Sequence, residues 1–344
     1  MEPVKLTAYS HGGGCGCKIS PSVLESILGT QRHQTQFASL LAGNEGNEDA
    51  AAWRLSEEQT LVSTTDFFMP IVNDPVDFGA IAAANALSDV YAMGAEPIFA
   101  LALLAWPITK LDASIAAAVL EGAREICKQA GIPIAGGHTI ENPEPVFGLA
   151  VNGLVKSQYL KRNNTAKAGD ILFLTKSLGT GMITTAAKRE KAEASHLAEA
   201  VAQMRKLNKE GAELAQLPGV HALTDVTGFG FAGHLTEVCR GSNLSARINR
   251  AVLPRLSGVN ACLEAMIYPD MTMKNFNAFK AHLPEMDTET LLLMCDPQTS
   301  GGLLIAADPS CAEQVKAILA AHHSYCEIIG VLEPADALTI QFSS

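Results

Sequence analysis

Apolar and polar positions along this chain alternate between two periods, and the switches mark out its elements. "EDAAAWRLSEEQTLVSTTDFF" has a strand-like pattern, and "TLVSTT" is rich in β-branched residues. "VDFGAIAAANALSDVYAMGAEP" carries small and apolar residues on most faces, which predicts a helix of roughly four or five turns with Gly94 as its stop. A strand "PIFALALLAW", a helix "DASIAAAVLEGAREICKQAG" and the strands "IPIAGG" and "PVFGLAVNGLV" follow. The second half again mixes strands and helices. The strand "ILFLT" leads to one helix over "HLAEAVAQMRKLNKEGAELAQ", then the strand "VHALTDV", the helix "FAGHLTEVCR" and the strand "LSARI". "GGLLIAA", a helix and "IIGVLE" complete the chain. The pattern implies an α+β protein of two comparable halves without a short repeat.

Residues 1–45 are irregular apart from "SPSVLESILGT", a short helix capped by Ser20 or Ser22. Around "KSQYLKRNNTAKAGD" the chain turns polar and basic, which sets a boundary near residues 160–168. The expected organisation is therefore a flexible segment 1–45, a domain 46–160 and a second domain 161–344.

Composition narrows the function classes. The 344 residues carry a formal net charge of −11, which argues against nonspecific binding of nucleic acid or anionic membranes. The N-terminus lacks an apolar core behind basic residues, and no apolar run is long enough to span a bilayer. The eight cysteines are scattered singly except for Cys15 and Cys17, as expected of reduced thiols in a cytoplasmic protein.

An acidic protein that handles polyphosphate does so through metal ions, so the carboxylates matter. Asp49 follows the polar loop "GNEGNED", and Asp66 ends a β-branched run in "STTDFF". Asp89 sits late in an alanine-rich helix, where a buried acid needs a partner. Asp225 closes the strand of "HALTDVTGFG". Acids at strand ends beside glycine-rich turns suit Mg²⁺ bound to phosphate oxygens, although spacing alone favours a cap or turn residue for any one of them, Asp89 being the hardest to read that way. No Walker-type P-loop is present. "GFGFAG" matches the dinucleotide glycine pattern but lacks the acid expected about 20 residues later. "AGGHTIENPEP" offers glycines and a threonine after a strand, where backbone N–H groups approach phosphate.

"HGGGCGCK" admits three readings. A zinc clip needs two further ligands at suitable spacing, and none is evident. A disulfide between residues two apart closes a strained ring. A mobile glycine-rich loop carries a cysteine activated by Lys18, or presents Lys18 itself to phosphate.

The segments "YSHGGGCGCKISP", "EDAA", "STTDFFMPIV", "LSDVYAMGAEP", "AGGHTI", "LTDVTGFGFAGHL" and "CDPQTSGGLL" together resemble the selenophosphate synthetase family, in its order and over essentially the whole chain. Relatives of the same fold, such as aminoimidazole ribonucleotide synthetase and thiamine-monophosphate kinase, lack the "HGGGCGCK" opening. The resemblance implies a two-domain α+β fold of the aminoimidazole ribonucleotide synthetase superfamily. It also implies a homodimer whose N-terminal ATP-binding domains pair their sheets and share nucleotide sites. The implied reaction converts ATP, hydrogen selenide and water into selenophosphate, orthophosphate and AMP, and a selenium-delivery protein is a candidate partner. By the same resemblance Cys15 and Lys18 are catalytic, and Asp49, Asp89 and Asp225 hold Mg²⁺. Lys18, Gly46, Asn47, Glu48, Asp66, Asp89, Gly137, His138 and Thr139 contact ATP, with Glu48 standing where the family often has Asp.

Overall fold

The computed structural model describes residues 4–19, 21–28, 37–43 and 48–343, without the side chains of residues 15, 21, 22, 25 and 28. Two 3-10 turns, Leu6–Tyr9 and Gly14–Cys17, lead into helix α1 (Pro21–Leu28). Strands β1 (Leu40–Ala42), β2 (Ala51–Arg54), β3 (Gln59–Phe68), β4 (Glu96–Trp106), β5 (Ile134–Glu141) and β6 (Val146–Lys156) form the first sheet. Its order is β1-β2-β3-β6-β4-β5, antiparallel except between β4 and β5. Helix α2 (Pro75–Ala92) joins β3 to β4, and α3 (Ala113–Gln129) makes the crossover that the parallel pair requires.

The second domain is built on β7 (Ile171–Leu174), β8 (Val220–Asp225), β9 (Leu244–Ile248), β10 (Leu303–Ala307), β11 (Ile328–Pro334) and β12 (Ile340–Phe342). These strands order as β12-β9-β11-β7-β10-β8, with only β12 and β9 parallel. Helices α4 (Thr180–Lys188), α5 (Ala194–Arg205), α6 (Glu210–Leu214) and α7 (Gly230–Ser242) connect the earlier strands. Helices α8 (Val259–Glu264), α9 (Asp270–Phe279), α10 (Thr288–Met294) and α11 (Ala312–Ala321) belong to the later part. Among the described residues no helix is long and apolar enough to cross a membrane.

Helix α2 explains its own composition. Asp74 caps it by accepting from the Asp77 N–H at 2.9 Å, Pro75 opens the first turn, and Gly94 ends it at φ +74°. One side packs on α3, β3 and β6, and the other meets β8, α5 and α6 of the second domain. A helix enclosed by both domains has no wet face, so alanine and larger apolar residues surround it, and Ile81 and Leu87 are fully buried. Each such large apolar side chain contributes about 1.5–3 kcal/mol. The helices α2 and α3 cross so closely that a Cβ at Gly122 would lie 1.9 Å from the Val76 carbonyl oxygen.

The single helix expected over residues 196–216 is instead α5 and α6, broken at Lys206, whose backbone is extended. Tertiary contacts override the helical pattern there. Asn208 is buried and donates to Ser88 Oγ at 2.8 Å and to the Gly301 carbonyl at 2.9 Å, which binds this segment to α2 and to the loop before β10. Asp66 closes the β-branched run but not the strand: β3 runs on to Phe68, where the strand-like pattern also ends, because Phe67 and Phe68 keep pairing with Gly148 and Phe147 of β6.

Candidate active site at the domain boundary

Four of the sequence-singled acids converge where α2 faces the second domain. Asp49 precedes β2, Asp66 lies on β3, Asp89 lies on α2 and Asp225 ends β8. Asp49 Oδ1 accepts from Thr224 Oγ1 at 2.7 Å, a bond between the domains. Asp89 accepts from the Thr64 hydroxyl, and Asp66 Oδ2 accepts from Asn85 Nδ2 at 2.7 Å. Asp49 and Asp89 are held well above the usual carboxylate range, first by burial and then by the negative charge of Asp225. Burial also raises Asp225, against a hydrogen bond from Ser88 and the positive charges of His234 and Lys18.

These groups fit a hard cation. The Oδ2 atoms of Asp49 and Asp225 are buried without a hydrogen-bond partner, and every donor is a carboxylate oxygen. An oxygen-only set whose members repel one another is what Mg²⁺ relieves. Among the described residues no three His, Cys, Asp or Glu side chains stand together closely enough to hold a metal ion by themselves. Mg²⁺ that keeps waters and phosphate oxygens as further ligands does not need so tight a group.

The amino-terminal arm reaches this cluster. Lys18 Nζ lies 3.4 Å from Asp66 Oδ2, and its charge also favours the ionised forms of Asp89 and Asp225. The backbone of Cys15 lies within the turn Gly14–Cys17, while its side chain lies outside the described residues. Cys17 is a free thiol that donates to the Gly14 carbonyl at 2.9 Å. Burial pushes that thiol up, against a hydrogen bond from the Met69 backbone, so Cys17 is a poor thiolate.

Other sequence-singled residues stand elsewhere. Gly46 and Asn47 lie outside the described residues. Glu48 Oε2 accepts from the Asn163 N–H at 3.1 Å and so ties the start of the first sheet to the second domain. Gly137, His138 and Thr139 lie on β5, an exposed edge strand. Asp66, Leu149, Ala102 and Gly137 form one row across the sheet, so three strand spacings, about 14 Å, separate Gly137 from Asp66 within one chain. "GFGFAG" opens α7, where the chain from Gly230 to Gly233 is buried in the protein.

Thr64, Asn85, Ser88 and Thr224 were not singled out from the sequence. A signal existed for two of them. Asn85, Ser88 and Asp89 form a polar stripe at helical spacing in an otherwise apolar helix. Thr224 had none, because its partner Asp49 is 175 residues away.

A further buried acid, Asp296, follows α10. Asp296 is fully buried, and its Oδ2 accepts from the Gly181 N–H at 3.0 Å and from Gln298 Nε2 at 2.9 Å. Its Oδ1 has no partner, and burial pushes its carboxyl up to about 8. The folded chain therefore holds a proton that the unfolded chain loses near pH 4, and stability falls as pH rises from about 4 to about 8. Asp296→Asn is expected to be near neutral in melting at pH 5 and stabilising at pH 8. An equal shift at both values would contradict the protonated state assigned to Asp296.

Residues 47–155 match the family described as "AIR synthase related protein, N-terminal domain" and residues 167–343 its "C-terminal domain". The chain is 50% identical over 334 residues to a selenide, water dikinase of Yersinia pseudotuberculosis, covering 97% of this chain and 96% of that one. In fold it is similar to thiamine-monophosphate kinase from Stenotrophomonas maltophilia, at TM-score 0.66 and 19% identity over 94% and 96% of the two chains. It is likewise similar to AaThiL complexed with AMPPCP and TMP, at TM-score 0.69 and 17% identity over 93% of each.

Proposed function

The chain belongs to the AIR synthase related family, among its selenide, water dikinases, and on that premise we propose that it converts ATP, hydrogen selenide and water into selenophosphate, AMP and orthophosphate. The observation that carries this reading is the juxtaposition of mutually repelling buried acids from both domains with Lys18 on a glycine-rich arm. Asp49, Asp89 and Asp225 hold Mg²⁺, which when bound neutralises the polyphosphate. Lys18 swings from Asp66 to the transferred phosphate and meets its developing charge. Cys15 receives or orients selenium at the end of the arm, and the arm excludes water from the reacting groups. Cys17, held as a thiol, is auxiliary.

Gly46, Asn47, Glu48, Asp66 and Asp89 contact ATP, and Gly137, His138 and Thr139 contact the nucleotide bound by a second copy. The row that separates Gly137 from Asp66 favours this sharing. So does the surface of the first sheet, where Phe67 and Ile140 are each 56% exposed and Trp53 and Leu101 lie open beside them. A homodimer covers this face, and a monomer in sedimentation velocity would remove the shared site.

Anaerobic ³¹P NMR with ATP, Mg²⁺ and selenide tests the chemistry. Selenophosphate, orthophosphate and AMP should appear in equal amounts. Accumulation of ADP as the end product would instead indicate a simple kinase of the same fold.

A further inference from the structure

We propose that Lys188 and Glu144 are positioning residues that clamp the arm at residues 10–12 and so set where Cys15 and Lys18 stand against the acid cluster. The inference rests on the reading of the arm as catalytic. Glu144 lies between β5 and β6 in the first domain. Its Oε1 accepts from the His11 backbone N–H at 3.3 Å, and its Oε2 accepts from His11 Nδ1 at 2.8 Å. Lys188 ends α4 in the second domain, and its Nζ donates to the carbonyls of Ser10 at 2.9 Å and Gly12 at 3.0 Å. Ser10 Oγ adds a bond to the same Gly12 carbonyl at 3.1 Å. Three successive residues are thus gripped by charged side chains of opposite sign, one from each domain. The two grips reinforce each other, because the charge of Glu144 favours the ammonium form of Lys188 against partial burial.

Immediately downstream the arm is seated by its backbone. The Gly14 N–H donates to the Met69 carbonyl at 3.0 Å, and Gly14 adopts φ +52°. A Cβ at Gly14 would lie 2.3 Å from both Ile71 Cδ1 and Thr299 Oγ1. Only Gly13 separates clamp from seat. Without the clamp, the Thr7–Asn73 bonds upstream and the seat at Gly14 would be left to restrain a run of glycines with large conformational freedom. Helix propensity and packing do not explain two charged groups converging on unstructured backbone, whereas positioning does.

Lys188→Met removes the donors and shortens the side chain by only one atom. It should lower kcat about tenfold with the KM for ATP unchanged, as expected when charged hydrogen bonds that order a reacting segment are lost. Iodoacetamide labelling of Cys15 and tryptic cleavage after Lys18 should each quicken several-fold, with the melting temperature within about 2–4 °C of wild type. Lys188→Arg, which keeps the charge, should recover most of the turnover. Glu144→Gln should act in the same direction. Combined with Lys188→Met it should cost less than the product of the two separate effects, because both grip the same three residues. Wild-type turnover and labelling in Lys188→Met overturns the proposal. So does a lowered melting temperature with unchanged labelling, which marks a purely structural contact. If Cys15→Ser keeps wild-type turnover while Lys188→Met still frees the arm, the catalytic reading of the arm fails and the clamp itself stands.

Discussion

Asp225→Asn should cut AMP formation by about a hundred- to a thousandfold, the scale of losing one preorganised electrostatic contact to a reacting phosphate. The same change should leave the metal-free chain as stable as before, or raise its melting temperature by about 2–4 °C. Asp225 is 1% exposed, its Oδ2 lacks a partner, and its charge is the leading electrostatic reason that Asp49 and Asp89 resist ionisation. Asparagine fills the same space, can keep the bond from Ser88, and removes one of the repelling charges. The check is a pair of thermal melts with and without Mg²⁺ and ATP beside a steady-state assay. Ligand should stabilise the wild type far more than the variant. Wild-type turnover, or a collapsed melting temperature, would remove Asp225 from the metal site.

Cys15→Ser should abolish selenophosphate formation, by about a thousandfold or more, while ATP binding persists. A serine hydroxyl is neither soft nor ionisable near neutral pH, so it cannot take over from a thiolate toward selenium. Cys17 cannot substitute, because burial and then the negative charge of Asp66 push its thiol up. Cys17→Ser should accordingly retain most of the activity. Calorimetric titration with ATP separates binding from chemistry in both variants. Full turnover in Cys15→Ser, or equal losses at the two positions, would contradict the assignment.

Sequence patterning reached far where a local rule decides the outcome. Gly94 stops α2, the β-branched run at residues 60–65 lies in β3, and the apolar stretches at 97–106 and 145–155 pair side by side along β4 and β6. Each rests on a period or a cap that neighbouring residues set. The break between α5 and α6 was hidden, because Asn208 leaves the helix to bond Ser88 and Gly301, far away in the chain. The short helices α8 to α10 also escaped. α10 depends on Asp287 capping the Thr290 N–H at 2.8 Å, and it is too brief to show a period.

What the chain determined by itself was its inventory: two α+β halves, an alanine-rich helix bearing one acid, a glycine–cysteine–lysine opening, and ordered motifs that mark its family. These are properties of residues and their near neighbours. Only the tertiary structure decided that α2 is enclosed by both domains, that Thr224 meets Asp49, and that Lys188 and Glu144 converge on one stretch of the arm. The reason is physical. Burial and electrostatic coupling depend on distances through space, and folding sets those by bringing together groups that are remote along the chain.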